Sequence, residues 1–199
     1  MEEMKYTSTI KTMPLLFLEI KKISSLVLQG LPDAEIKNKA IEENIFLVNT
    51  KVRKKKIVST LLKRLKTLDE ILLSKLVHED VVTGKLITLY AIMKTDRLFL
   101  EFMNEVFREK LIIRDYRITD TDFNNFFIRK SEQSEKMASW NAYTFYKLKQ
   151  VYIRILFESG LIRNQKTREL GKPLVDQSLL DHLKSKNDEV IISILLGLN

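Results

Sequence analysis

From Pro14 to Gln29 the apolar residues Leu15, Leu18, Ile23, Leu26 and Val27 roughly follow i, i+3, i+4 spacing. That period predicts a first helix opened by Pro14 and stopped by Gly30. In "GLPDAEIKNKAIEENI" the pair Pro32 and Asp33 begins a second, short helix. Asp33 and Glu35 form its acidic start, Ile36, Ala40 and Ile41 its buried stripe, and Asn44 its end. After "IFLVN", Thr50 caps a third helix running through Leu76, with Ile57, Val58, Leu61, Leu62, Leu65 and Leu68 on one side. Three helices on short connections, the last one basic at its start, have the layout of a helix-turn-helix unit.

The middle stretch "TGKLITLYAIMKTDRLFLEFMNEVFREKLII" predicts two helices apolar over much of their circumference, split near Thr95 and Asp96. Phe99, Phe102, Met103, Val106 and Phe107 belong to the central core. Periodicity breaks in "IIRDYRITDTDFNNFF", which places a domain boundary there and divides the chain into 1–115 and 116–199. Beyond it come a helix from about Asp120, a short one from about Ser131, and a long one capped by Ser139 that buries Leu148, Val151, Tyr152, Ile155 and Leu156. Gly160 ends the long helix, with Leu161 supplying the apolar contact of a left-handed glycine cap. The segment "LIRNQKTRELGKPLV" has two apolar ends around a polar loop, the pattern of a β-hairpin. A helix from about Ser178 to Lys186 and the run "EVIISILLG" close the chain. The expected fold is mainly α: a helical N-terminal domain with a helix-turn-helix-like unit, then a C-terminal winged-helix-like domain with a small β-hairpin.

Composition sharpens this picture. Five Gly and three Pro in 199 residues leave few breaks, so long helices dominate. With no Cys there is no disulfide framework, thiolate zinc site or Cys nucleophile. The apolar runs "LITLYAIM" and "VIISILLGL" fall well short of the roughly 18 to 20 residues that span a bilayer. The apolar run at Met13 to Leu18 is too short for a signal peptide. A cytoplasmic protein without membrane contact is expected.

Charge changes the picture most. The chain carries +8, and eight of its 34 basic residues lie between Thr50 and Lys66, where there is no acidic one. The remaining 26 basic residues meet 26 acidic ones, so the excess is local. A focused positive field steers polyanions, which makes nucleic acid the leading partner class. On a helical wheel the apolar positions of the third helix cover about 140° of arc, and Arg53, Lys55, Lys56, Lys63, Arg64 and Lys66 lie outside it. In the first turn Lys51 and Lys54 point toward the apolar side and Val52 away from it, so this end is basic nearly all round. Cations at the positive end of a helix dipole repel it, and packing alone would not select them. Phosphates offset that repulsion. Thr50, Lys51, Arg53, Lys54, Lys55, Lys56, Lys63 and Arg64 are therefore candidate DNA contacts.

A second candidate surface is the long C-terminal helix with the hairpin behind it. Asn141, Thr144, Lys147 and Lys149 occupy the half of the helix that meets base edges and phosphates, and Arg163, Lys166, Arg168 and Lys172 decorate the wing. Trp140, Tyr143, Phe145 and Tyr146 can stack on single-stranded bases, but their place beside the core stripe predicts burial. Chemistry is poorly served. His78 and His182 are far apart and lack ligand partners, and adjacent carboxylates on a helix diverge by about 100°. No phosphate-cradling glycine motif occurs. No catalytic residue, metal, cofactor or small-molecule substrate is expected.

The stretches "LVLQGLPDAEIKNKAIEENIF", "TKVRKKKIVSTLLKRLKTLD", "LYAIMKTDRLFLEFM" and "SWNAYTFYKLKQVYIRILFESGLI", in that order, resemble the BrxA family of BREX bacteriophage-defence systems over about residues 20 to 185. The resemblance implies a small, mainly helical, non-enzymatic protein with helix-turn-helix and winged-helix features. It also implies binding to double-stranded DNA and work beside other BREX defence proteins. Such families are also likened to the RNA-binding antitermination protein NusB, which keeps an RNA-binding adaptor as an alternative. A protein-interaction scaffold, docking the basic helix on an acidic partner, is a third.

Overall fold

The computed structural model describes residues 4–198 and is mainly helical. Leu15–Thr95 forms one compact unit, and the chain before it and after it forms another. The division therefore falls at Leu15 and after Thr95, not near residue 115.

The first unit holds α1 (Phe17–Leu28), α2 (Asp33–Glu42), α3 (Lys51–Leu65), α4 (Glu70–His78) and α5 (Val81–Met93). Helix α1 starts later than the sequence suggests because Leu16 is left-handed (φ 56°). This bend buries the Leu15 side chain and turns its carbonyl toward Arg64, whose Nη1 donates to it at 3.0 Å. Gly30 (φ 81°) ends α1, with Leu31 N–H donating to Leu26 O and Gly30 N–H to Val27 O. That pair of bonds is the glycine C-cap that Gly30 was expected to provide. The single helix expected from Thr50 through Leu76 is two helices. The Thr67 hydroxyl donates to Arg64 O at 2.7 Å, and the Asp69 carboxylate accepts from Leu72 N–H at 3.0 Å. These short polar side chains offer the backbone a better alternative than continuing the helix. Helix α5 is apolar on all faces and correspondingly buried, packing on α1, α3 and α4.

In the second unit α6 (Arg97–Phe102) continues through a π-helical segment (Met103–Arg108) into α7 (Glu109–Ile112). There follow α8 (Asp120–Glu132), α9 (Glu135–Ala138), α10 (Ala142–Glu158), α11 (Gln177–Ser185) and α12 (Glu189–Leu196). Asp96 opens α6 by accepting from Phe99 N–H at 2.9 Å. Phe99, Phe102, Met103, Val106 and Phe107 are all buried, as expected. Phe102 stacks on Phe123 at 4.9 Å and meets Phe126 edge-on at 5.4 Å, while Phe99 meets Tyr152 edge-on at 5.0 Å. This aromatic core joins α6 to α8 and α10 across the break at 113–119, which is why that break is a loop inside one unit.

Two expectations need correction. Helix α10 is capped by Asn141, not Ser139, because the Ser139 hydroxyl donates to Lys136 O at 2.7 Å and closes α9 instead. The β-hairpin over 161–175 is not formed. Among the described residues there is no strand, only the isolated antiparallel bridges Ile162 with Leu170 and Arg117 with Glu169. The Asn164 carboxamide accepts from Lys166 N–H (2.7 Å) and Thr167 N–H (3.3 Å), and Arg168 is left-handed (φ 54°). This side-chain turn curls the tip and interrupts the ladder.

At the edge of the aromatic core the buried Lys130 ammonium lies 2.8 Å from Glu101 and also bonds Glu105. Glu101 further accepts from Arg97 Nε (2.7 Å) and from the Tyr6 hydroxyl (2.9 Å), tying the N-terminal segment to α6. Burial pushes the Glu101 carboxyl up, but the Arg97, Lys130 and Tyr6 hydrogen bonds outweigh it and hold it below its ordinary value. Burial likewise pushes Lys130 down, and its two carboxylates more than restore it. Since the folded Glu101 titrates below the unfolded one, its contribution is complete above the ordinary glutamate range and is lost as pH falls through the folded value. Acid should therefore unfold the protein with a limb that the Lys130→Met variant shortens. Circular dichroism melts at stepped pH below about 5 check this, and identical acid limbs in the two proteins would count against it.

Candidate nucleic-acid interface

Thr50 adopts extended backbone and its side chain accepts the Arg53 N–H at 3.2 Å, so the basic run begins at a capped helix end. The stripe Ile57, Val58, Leu61, Leu62 and Leu65 is buried, and Leu68 just beyond the helix is buried with it. With the stripe fixed, Lys51, Lys55 and Lys56 are exposed in the first two turns, and Val52 stands out beside them at 78% exposure. Leu47, in the loop before the cap, is left-handed (φ 52°) and exposed. Lys51 Nζ lies 3.9 Å from Glu42, both side chains being largely exposed, a pairing that water screens. These ammonium groups add to the partial positive charge of the helix N-terminus, and together they attract anions.

The other cations of the run have different surroundings. Arg53 and Lys54 are half-buried, and Lys54 Nζ donates to Ile41 O at 3.1 Å, clasping the end of α2 to α3. Lys63 is exposed and its Nζ donates to Thr95 O at 3.3 Å. Lys66 pairs with Asp33 at 2.7 Å. Arg64 is a correction: it is 3% exposed and bonded to the Leu15 carbonyl, so it cannot face a phosphate. The apolar stripe puts position 64 at its border, where a long side chain folds inward once a carbonyl is there to receive it.

In the second unit the Asn141 carboxamide accepts from Thr144 N–H (2.9 Å) and from the Thr144 hydroxyl (3.1 Å). Thr144 is buried in that cap, so it is corrected from a base contact to a structural residue. One oxygen of Asp120 receives both Arg168 Nη1 (2.5 Å) and Lys149 Nζ (3.4 Å). The Arg168 hydrogen bond, with Lys149 beside it, holds the Asp120 carboxyl below its ordinary value. Two predicted contacts thus converge on one carboxylate, which cancels half their charge. Arg163, Lys166 and Lys172 stay exposed along the 163–172 loop.

Two aromatic residues depart from expectation. Phe145 packs on Phe127 (5.3 Å) and Trp140 (5.9 Å), but Tyr143 and Tyr146 are 63% and 48% exposed. Lys147 Nζ lies 5.3 Å from the Tyr143 ring and 5.7 Å from the Tyr146 ring. Beside them a groove of about 770 Å³ opens between α8 and α10 over Phe127, Ile128, Ala142 and Phe145. Among the described residues no group of three or more His, Cys, Asp or Glu can hold a metal, and no helix is long and apolar enough to cross a membrane.

A model of the BrxA family matches residues 4–187. A protein of Bacillus cereus (strain H3081.97) named BREX protein BrxA is 55% identical over 197 residues, covering 98% of each chain. A crystal structure of an uncharacterized protein from Magnetospirillum magneticum aligns over 98% of this chain and 100% of its own, with a TM-score of 0.85 at 21% identity. That last match is a likeness of fold.

The contrast between Arg64 and its exposed neighbours is measurable. Arg64→Ala leaves the Leu15 carbonyl without this donor and should lower unfolding stability by about 1–3 kcal/mol. Lys56→Ala should stay within about 0.5 kcal/mol of wild type. Urea titration reads both, and equal values would contradict the buried role of Arg64.

Proposed function

The chain belongs to the BrxA family of BREX phage-defence proteins, and we propose that it is a non-enzymatic accessory protein that binds double-stranded DNA mainly through the phosphate backbone. The observation that carries this reading is the exposure of Lys51, Lys55 and Lys56 in the first two turns of α3, which hold five of the eight basic residues in the run that carries the chain's excess charge. Each ammonium facing a phosphate releases a condensed counterion, a gain that ignores base sequence. Thr50 caps this helix end and Lys54 holds α2 against it, which supports a fixed presentation of the exposed lysines. Because Lys54 serves the fold, Lys51, Lys55 and Lys56 are the better phosphate contacts.

The 163–172 loop supplies a second, weaker set through Arg163, Lys166 and Lys172. Arg168 and Lys149 contribute less, since each spends its charge on Asp120. Other BREX proteins are the expected partners, and DNA is the ligand they would share. An RNA-binding adaptor is the alternative; the same lysines would meet RNA phosphates, and competition by RNA separates the two.

With about four to six phosphates neutralised, the logarithm of the duplex affinity should fall with the logarithm of salt at a slope of roughly −4 to −5. The pair Lys55→Glu and Lys56→Glu should weaken binding to every duplex sequence alike and reduce the slope by about 2. A mobility-shift series at several salt concentrations, with duplex RNA and single strands as competitors, measures this. An unchanged slope would remove α3 from the interface.

A further inference from the structure

We infer that α10 carries a second nucleic-acid site, a stacking platform for unpaired bases made by Tyr143, Tyr146 and Lys147. It lies apart in the chain from α3 and does not depend on the duplex reading. Tyr143 and Tyr146 are one turn apart on the face of α10 opposite Leu148 and Tyr152, with ring centroids 6.3 Å apart and planes 32° from parallel. Two neighbouring phenol rings left in water are informative, because the core had aromatic positions to offer and these two are not among them.

The Tyr146 ring is also held in place. Gln150 Nε2 donates to the Tyr146 hydroxyl at 2.6 Å, and Lys147 Nζ donates to Gln150 Oε1 at 3.3 Å while lying over both rings. A platform fixed in this way loses little side-chain freedom when a flat ligand settles on it. Tyr146 also lines the groove between α8 and α10, whose floor holds Phe127 and Phe145 and whose rim holds Asn124 and Glu132. Aromatic faces can take a base by stacking, and the rim groups can take its edge by hydrogen bonding.

The chemistry favours a single strand over the other occupants. In a duplex the base faces are already stacked on one another, and of the two residues placed to read base edges Thr144 is buried and Asn141 has its Oδ1 committed to the cap. An apolar peptide would bury the Lys147 ammonium without an anion to meet it. In a single strand every base arrives with a phosphate, so the rings and the cation are served together.

The test is an anisotropy titration of the full chain with labelled oligo(dT) of about 20 nucleotides, alongside a duplex of equal length. Tyr143→Ala with Tyr146→Ala should weaken oligo(dT) binding roughly tenfold or more and leave duplex affinity unchanged. The paired Phe variants, which keep both ring faces and lose only the Gln150 bond to the Tyr146 hydroxyl, should retain most of the wild-type affinity, and Lys147→Gln should lower the single-strand salt slope by about 0.7. Lys55→Glu with Lys56→Glu should weaken duplex binding while the tyrosine effect on oligo(dT) persists, which separates failure of either site from failure of the other. Equal oligo(dT) affinity in the alanine pair, or equal competition by an abasic strand of the same length, would overturn the platform.

Discussion

The burial of one stripe on α3 governs how this protein presents its charge. Ile57, Val58, Leu61, Leu62 and Leu65 are all nearly inaccessible to water, so the rotation of the helix is fixed. A large buried aliphatic side chain contributes about 1.5–3 kcal/mol, and turning the helix by one residue would expose several of them. No rearrangement of surface lysines competes with that. Once the stripe is set, Lys51, Lys55 and Lys56 face water, Lys54 meets the end of α2, and Arg64 is drawn under the bend at Leu16.

The same run of basic residues therefore does two kinds of work. Arg64 and Lys54 satisfy backbone carbonyls at the ends of neighbouring elements, where a cation makes a stronger hydrogen bond than a neutral donor. The exposed lysines are left with only water and loose pairing, which is the condition under which charge attracts a mobile polyanion. The second unit sorts its cations in the same way. Asp120 collects Lys149 and Arg168, and Glu101 and Glu105 collect Lys130, whereas Arg163, Lys166 and Lys172 of the 163–172 loop stay exposed.

Much of this was legible from residue spacing. The caps at Thr50 and Asp96, the glycine stops at Gly30 and Gly160, and the buried Phe99 to Phe107 cluster all follow from local pattern. The exposure of Tyr143 and Tyr146 was legible as well. Measured from the middle of the Leu148, Val151, Tyr152, Ile155 and Leu156 stripe, they fall about 150° away on either side, on the opposite face. Their closeness in sequence to the core stripe pointed to burial, but the helical angle places them away from it. The same wheel puts Thr144 on the core side, where it is found.

By itself the sequence determined the mainly helical class, most helix ends, the family, and the concentration of charge at the start of α3, because periodicity, capping chemistry and charge are local properties of the chain. Tertiary structure alone decided which cations are accessible, since Arg64 depends on a carbonyl 49 positions away and Arg168 on a carboxylate 48 positions away. It also decided that the 161–175 segment forms isolated bridges in place of a hairpin, and that α6 belongs with α8 and α10 and not with the helices before it. Those outcomes rest on partners distant in sequence, and no local pattern specifies a distant partner.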